Sequence, residues 1–163
     1  MKKRSRGLAA VRIPVILFVL AALTGCYSLR VDMTPYSAPS SCPVTVTDER
    51  ADPRAIVGSE IDFTIAPPLT KVLKSKLCRS DTVAEYVTRN TTVIRISRAE
   101  ISSFGFVGTT KMLTIEGSLW AGLRQYQIVA RGTIESDVPE RFWPALLNSA
   151  LDDFVKRVEE KLP

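Results

Sequence analysis

The chain has no histidine. That removes the side chain most often used as a general base near neutral pH. It also removes Ser-His-Asp and Cys-His arrangements. Zinc is disfavoured for the same reason: two cysteines outside the N-terminal region, with no imidazole, fall short of the usual ligand count. The sequence holds no G-x-S-x-G elbow, no phosphate-binding Walker loop and no H-E-x-x-H. It has no internal repeat and no RNA- or DNA-binding motif. Adjacent carboxylates occur at Asp152-Asp153 and Glu159-Glu160, on the polar side of a terminal helix, where solvated charge is the ordinary explanation. The expectation is a protein that is not an enzyme and carries no cofactor and no metal.

What the sequence does have is concentrated at its start. Lys2, Lys3, Arg4 and Arg6 form a positive segment, Ile13 to Leu23 is an uncharged apolar run, and Thr24 and Gly25 are small. That order is the secretory signal pattern. A spanning helix needs roughly 18 to 20 apolar residues; this run is shorter, and Pro14 interrupts it. The alternative is a short anchor that is never cleaved. Leu23-Thr24-Gly25-Cys26 resembles the bacterial lipobox, the recognition site of lipoprotein signal peptidases. The resemblance implies removal of residues 1–25 and acylation of Cys26, with palmitate among the expected chains. Each buried CH₂ contributes about 0.8 kcal/mol, and two or more chains make attachment durable. Tyr27 stands where an aspartate would imply retention on the inner membrane. The implied place is the outer membrane, facing the periplasm.

The formal charge of +5 belongs to the leader. Five of the 22 basic residues lie in residues 1–25, which have no acids, leaving 17 basic against 17 acidic side chains. A nucleic-acid partner is therefore not expected. Residues 26–42 are rich in Ser and Pro without either periodicity, and read as a lipidated tether. Residues 43–163 then form one domain, long enough for a real core.

Cys42 and Cys78 are an even pair in an oxidising compartment. One precedes the first expected strand and the other ends the first expected helix, so a disulfide between them is a candidate; two unpaired thiols are the alternative. Val44 to Thr47 alternates as a strand. Residues 48–54 read as a turn around Pro53. Ile56, Val57 and Gly58 open a second strand that Ile61, Phe63 and Ile65 continue. Leu69, Val72, Leu73, Lys76 and Leu77 have helical spacing, with Lys71 and Lys74 outward. That lysine face is solvated or meets anionic lipid. Residues 80–90 are either a short extended piece or resumed helix. Strands are expected over 92–101, 111–120 and 125–135, the last two joined by a hairpin at Ala121 to Arg124. Trp143, Leu147, Ala150, Leu151, Phe154, Val158 and Leu162 make the stripe of a C-terminal helix.

The resulting expectation is an α+β two-layer sandwich: a mostly antiparallel sheet with two amphipathic helices packed on one face. The other face is more polar, through Arg95, Thr114, Glu116, Gln125 and Arg131. Asp48 and Arg50 read as a pair closing a turn, or Arg50 as a partner contact. Phe104 and Phe106, between glycines, read as the apolar tip of a contact loop or as a loop tucked over the core.

The lipobox, the strand leading to Asp48-Glu49-Arg50, Val57-Gly58, the helix, the β-meander and the C-terminal helix together resemble the YajG-type bacterial lipoproteins, related to auxiliary lipoproteins of envelope transporters. The resemblance covers most of Val44 to Leu162. It implies an outer-membrane lipoprotein without catalytic residues. The function expected is a membrane-anchored interaction or structural module with an envelope protein partner; the alternative is an auxiliary lipoprotein of a lipid or envelope transport system, or a binder of hydrophobic ligand. A contiguous apolar cavity would favour ligand binding, and a filled core would favour docking. The sequence does not define an oligomeric state.

Overall fold

The structure, a computed structural model, describes residues 28–33, 42–58, 62–104, 110–135 and 143–163. These form β1 (Ser28–Asp32), β2 (Thr45–Asp48), β3 (Ala55–Gly58), β4 (Asp62–Ala66), α1 (Leu69–Leu77), α2 (Asp81–Arg89), β5 (Thr92–Phe104), β6 (Thr110–Ala121), β7 (Arg124–Glu135) and α3 (Trp143–Glu159). The architecture is α+β, with a mostly antiparallel seven-stranded sheet and helices packed on it, as the alternation and the terminal helical stripe imply. Among the described residues the helices are three, not two: within residues 80–90, Asp81–Arg89 is helix. Ser80 caps α2 by accepting a hydrogen bond from the Val83 N–H, and Val83 and Val87 supply its buried side.

Strand order is β1-β4-β3-β5-β6-β7, with β2 also paired to β5. The meander β5-β6-β7 is antiparallel over nearly its whole length. Period-2 alternation sends Ile94, Ile96, Leu113, Ile115, Leu119, Ile128 and Ala130 to one face, all essentially inaccessible. A bulge between Ile96 and Arg98 shifts the register of β5, so that Ala99 and Ile101 continue the buried set. α3 covers this face over β6 and β7 through Leu147, Ala150, Leu151, Phe154 and Val158. α1 lies against β2 and α3 through Leu69, Val72, Leu73 and Leu77.

Two expectations change on this side of the molecule, and a pairing for which no direction was expected is parallel. The reading of 26–42 as tether fails at Ser28–Asp32, which is a strand parallel to β4, with Val31 and Met33 buried. Its alternation is short, but β4 supplies a complete hydrogen-bonding edge. The apolar residues after Gly58 do not continue one strand: the chain turns back, and β4 pairs antiparallel with β3. And β2 and β3 both run parallel to β5, sharing one edge of it end to end.

Cys42 and Cys78 are bonded, with Cα atoms 5.7 Å apart. The bond ties the chain before β2 to the end of α1. Lys76, placed in the apolar stripe by spacing, reaches Asp152 of α3 at 2.6 Å. At the other end of α3 the helix meets the sheet without an intervening side chain. A Cβ on Gly132 would lie 2.5 Å from the Ala150 nitrogen and 2.7 Å from the Leu146 carbonyl. Glycine is therefore needed there for backbone to meet backbone.

Candidate functional site

Of the expected contact residues, Arg50 and Phe104 are among those the structure describes. Leu23, Thr24, Gly25, Cys26 and Phe106 lie outside the described residues, and Phe104 is the last residue of β5. Arg50 is no exposed contact. Its guanidinium donates to both Asp48 carboxylate oxygens, at 2.8 and 2.7 Å, to the Ala55 carbonyl at 2.6 Å and to the Pro53 carbonyl at 2.8 Å. The Arg50 and Asp48 side chains are only 8% and 4% exposed. A fork saturated in this way braces the chain where it leaves β2 and enters β3, and offers nothing to a partner. The turn-closing reading is the one the geometry matches.

Three of the four terminal carboxylates are also structural ties. Asp152 holds Lys76. Asp153 accepts from the Arg157 side chain at 2.8 Å and from the Arg131 backbone N–H at 2.9 Å. Partial burial pushes the Asp153 pKa up; the bonds from Arg157 and Arg131 outweigh it and leave the group below the usual carboxylate range. Ser80 donates to Glu159 at 2.5 Å. Among the described residues there is no cluster of three acidic or cysteine ligands for a metal, and no helix is long and apolar enough to cross a membrane.

The core is filled. The apolar crevice bounded by Val31, Phe63, Ile101, Leu113, Trp143 and Leu146 has room for about 10 Å³, whereas ligand pockets run to roughly 300–1,000 Å³. Phe63 and Trp143 meet across it with ring centroids 4.2 Å apart.

Among the described residues, no helix packs on the other face of the sheet. The register lines its side chains into rows across β5, β6 and β7: Val93, Trp120 and Gln125; Arg95, Ser118 and Gln127; Glu100, Thr114 and Arg131. All are half-buried or exposed, as is Glu116 between Arg98 and Val129, so the five polar residues expected on this face lie on it. Arg95 spans from Glu49, at 3.2 Å, to the ring of Trp120, 6.0 Å from its centroid. Arg98 pairs with Glu116 at 3.4 Å and with Glu100. Apolar groups stand among these charges: Trp120 is 37% exposed, Val129 39% and Val57 60%. A large aromatic beside arginines within a polar surround is the composition of a protein-contact surface. Trp120 was not singled out by sequence reasoning. The signal was present: alternation along β6 sets it on the side of Thr114, Glu116 and Ser118.

The chain matches no protein-family model and no curated protein. Two solved structures resemble it in three dimensions. One is an uncharacterized protein, 7% identical, with a TM-score of 0.43 over 84% of this chain and 99% of that one. The other is a protein from the bacterium Xanthomonas campestris, described as family DUF330, 17% identical, with a TM-score of 0.41 over 83% of this chain and 91% of that one.

Proposed function

We propose that the protein is a non-catalytic lipoprotein module of the bacterial cell envelope, held on the outer membrane by lipid on Cys26 and docking a protein partner through the open face of its sheet. The observation that carries the docking reading is the pairing of a filled core with an uncovered, arginine- and tryptophan-bearing sheet face. A domain built to hold a hydrophobic ligand needs internal volume, and about 10 Å³ is close to the space of one water. The lipobox at Leu23 to Cys26 supports the anchor, and the resemblance to YajG-type and transporter-auxiliary lipoproteins supports an accessory role beside an envelope machine.

The test is site-specific photocrosslinking in cells. A photoreactive residue at Ser118 or Gln127 is expected to capture one envelope protein reproducibly, and Trp120→Ala with Arg95→Ala to abolish the adduct while the protein stays folded. The same residue at Glu85, on α2, serves as the helix-side control. Capture from Glu85 with none from the open face would refute the assignment of the surface. Separately, Cys26→Ala is expected to release the protein from membranes; continued tight association would refute the lipid anchor.

A further inference from the structure

We propose that two copies of this chain join edge to edge through β7, as an antiparallel strand pair with its twofold axis at Gln127, so that their two sheets become one. The inference goes beyond the docking reading and does not depend on it.

β7 is the last strand of the sheet order and pairs with β6 on one side only. Successive residues of a strand turn their N–H and C=O to opposite sides. The Arg131 N–H points away from β6, onto Asp153. Gln125, Gln127 and Val129 share its parity, so their backbone groups point outward too. Among the described residues none bonds those groups, and all three side chains are exposed. Such a row is a template for another strand, and the usual protections are charge, proline or a bulge. β7 has no proline, and its ladder with β6 runs from Thr110–Glu135 to Ala121–Arg124 without a bulge. Gln125 to Val129 carry no charge. The opposite edge differs, because β1 presents the exposed Arg30–Asp32 pair.

The occupied Arg131 N–H selects the register. Centred on Gln127, self-pairing sets Gln127 opposite Gln127 and Gln125 opposite the second copy's Val129, and the converse. Each such pair exchanges two bonds, about six in all. A centre one residue nearer Arg131 would set Gln125 opposite Arg131, whose N–H is already taken. A centre one residue the other way would set Val129 opposite Leu123, in the turn. Only the register at Gln127 uses all three open residues. It also opposes no like charges. On the helix side Tyr126 meets Ile128 and Arg124 meets Ala130, while Arg131 meets Leu123.

α3 leaves room for the second copy. Leu146 and Ala150 lie over Gly132, Asp153 bonds Arg131, and Phe154 lies against Gly117, which pairs with Ile128. The helix thus runs down β7 and ends at Glu159, about 7 Å past Phe154, near the level of Gln127. The two α3 helices therefore leave the axis in opposite directions and meet only at their C-terminal ends. The charged groups there, Lys156, Arg157, Glu159, Glu160 and Lys161, are of both signs. Asp153 already holds Arg157, and Ser80 holds Glu159. An axis normal to the sheet keeps both open faces on one side, so pairing extends the docking surface and does not cover it.

The test is disulfide trapping of full-length protein in the envelope of expressing cells. Opposed residues of a hydrogen-bonded pair have Cα atoms about 5.5 Å apart, within disulfide reach. Gln127→Cys is expected to give a covalent homodimer, with the 127–127 link identified by peptide mass spectrometry. Thr133→Cys, equally exposed on the same strand, is expected to give none, because its two copies would lie about 40 Å apart. Adding Val129→Pro to Gln127→Cys removes an outward N–H and no ladder bond. It is expected to abolish the dimer while the Cys42–Cys78 link and the urea midpoint stay as in the parent. Gln125→Pro is a second variant of the same kind. No dimer at 127, equal dimer at 127 and 133, or a dimer that survives both prolines overturns the pairing. Capture of a different protein by the cysteine at 127, in place of a second copy, overturns it as well.

Discussion

Asp48 and Arg50, two residues apart, form a forked ion pair whose side chains are almost wholly buried, at the point where the chain stops pairing with one half of β5 and loops out before pairing with the other. The Glu49 N–H still donates to Ile96 at 2.8 Å, so the loop begins directly after the ladder of β2 ends. Arg50 then turns back to hold the carbonyls of Pro53 and Ala55. One side chain thus satisfies the backbone of an excursion that would otherwise leave carbonyls unpaired beside the sheet.

Removing either partner is expected to be costly, because the other remains as an uncompensated buried charge. Arg50→Ala and Asp48→Ala should each lower stability by about 3–5 kcal/mol. The double replacement should cost less than the sum of the two, since it strands no charge. Urea unfolding midpoints of the four proteins test this. Losses that simply add would mean that the pair does not act as a unit.

The Cys42–Cys78 bond closes a loop of 36 residues. In the chain-entropy picture a loop of that size stabilises the fold by about 4 kcal/mol. Cys42→Ser with Cys78→Ser should therefore show a marked drop in the denaturation midpoint. Wild type treated with reductant should fall to the same value. Non-reducing peptide mapping is expected to find the two cysteines linked. Free thiols in protein recovered from the envelope would contradict this.

The meander and the C-terminal helix were legible because each carries its own period. Ile94 and Ile96, Leu113 and Ile115, and Leu147 through Val158 all select one face without reference to any partner. β1 was not legible. Its buried Val31 and Met33 form too short an alternation, and a serine- and proline-rich stretch follows. What makes it a strand is the edge of β4, more than thirty residues away. The parallel pairing of β2 and β3 with β5 was hidden for the same reason, since register is a property of two segments. At the candidate site, the polar residues of the open face followed from alternation. The placing of Arg95 between Glu49 and Trp120 did not, because it depends on how β2 runs on into the corner beside β5.

Gly132 gives a packing prediction. Its missing side chain is what lets α3 rest on β7, and the atoms a Cβ would strike are backbone atoms of Leu146 and Ala150. No rotamer change relieves such a clash, so the helix must lift. Gly132→Ala should cost about 1–3 kcal/mol and loosen the cover over Ile128 and Ala130. Hydrogen exchange of β7 amides should speed up together with the fall in melting temperature. An unchanged melting temperature would show that the helix shifts freely.

Asp153 gives the pH prediction. β7 is the last strand of the sheet order, and its Arg131 N–H is held by this carboxylate instead of by another strand. An edge N–H satisfied from a helix is also closed to pairing with another chain. Burial disfavours the charged form, but the bonds from Arg157 and Arg131 prevail and the folded pKa is depressed. For a depressed carboxylate the unfolded state binds the proton more readily. Its contribution to stability is present above the unfolded value, about 3.9, and is lost as pH falls through the lower folded value. Asp153→Asn should therefore be less stable than wild type at neutral pH, and the gap should close in that acid window. Stability measured by urea unfolding from neutral pH downward tests the sign. A gap that stays constant with pH would mean that the charge of Asp153 contributes nothing and that only its hydrogen-bonding shape matters.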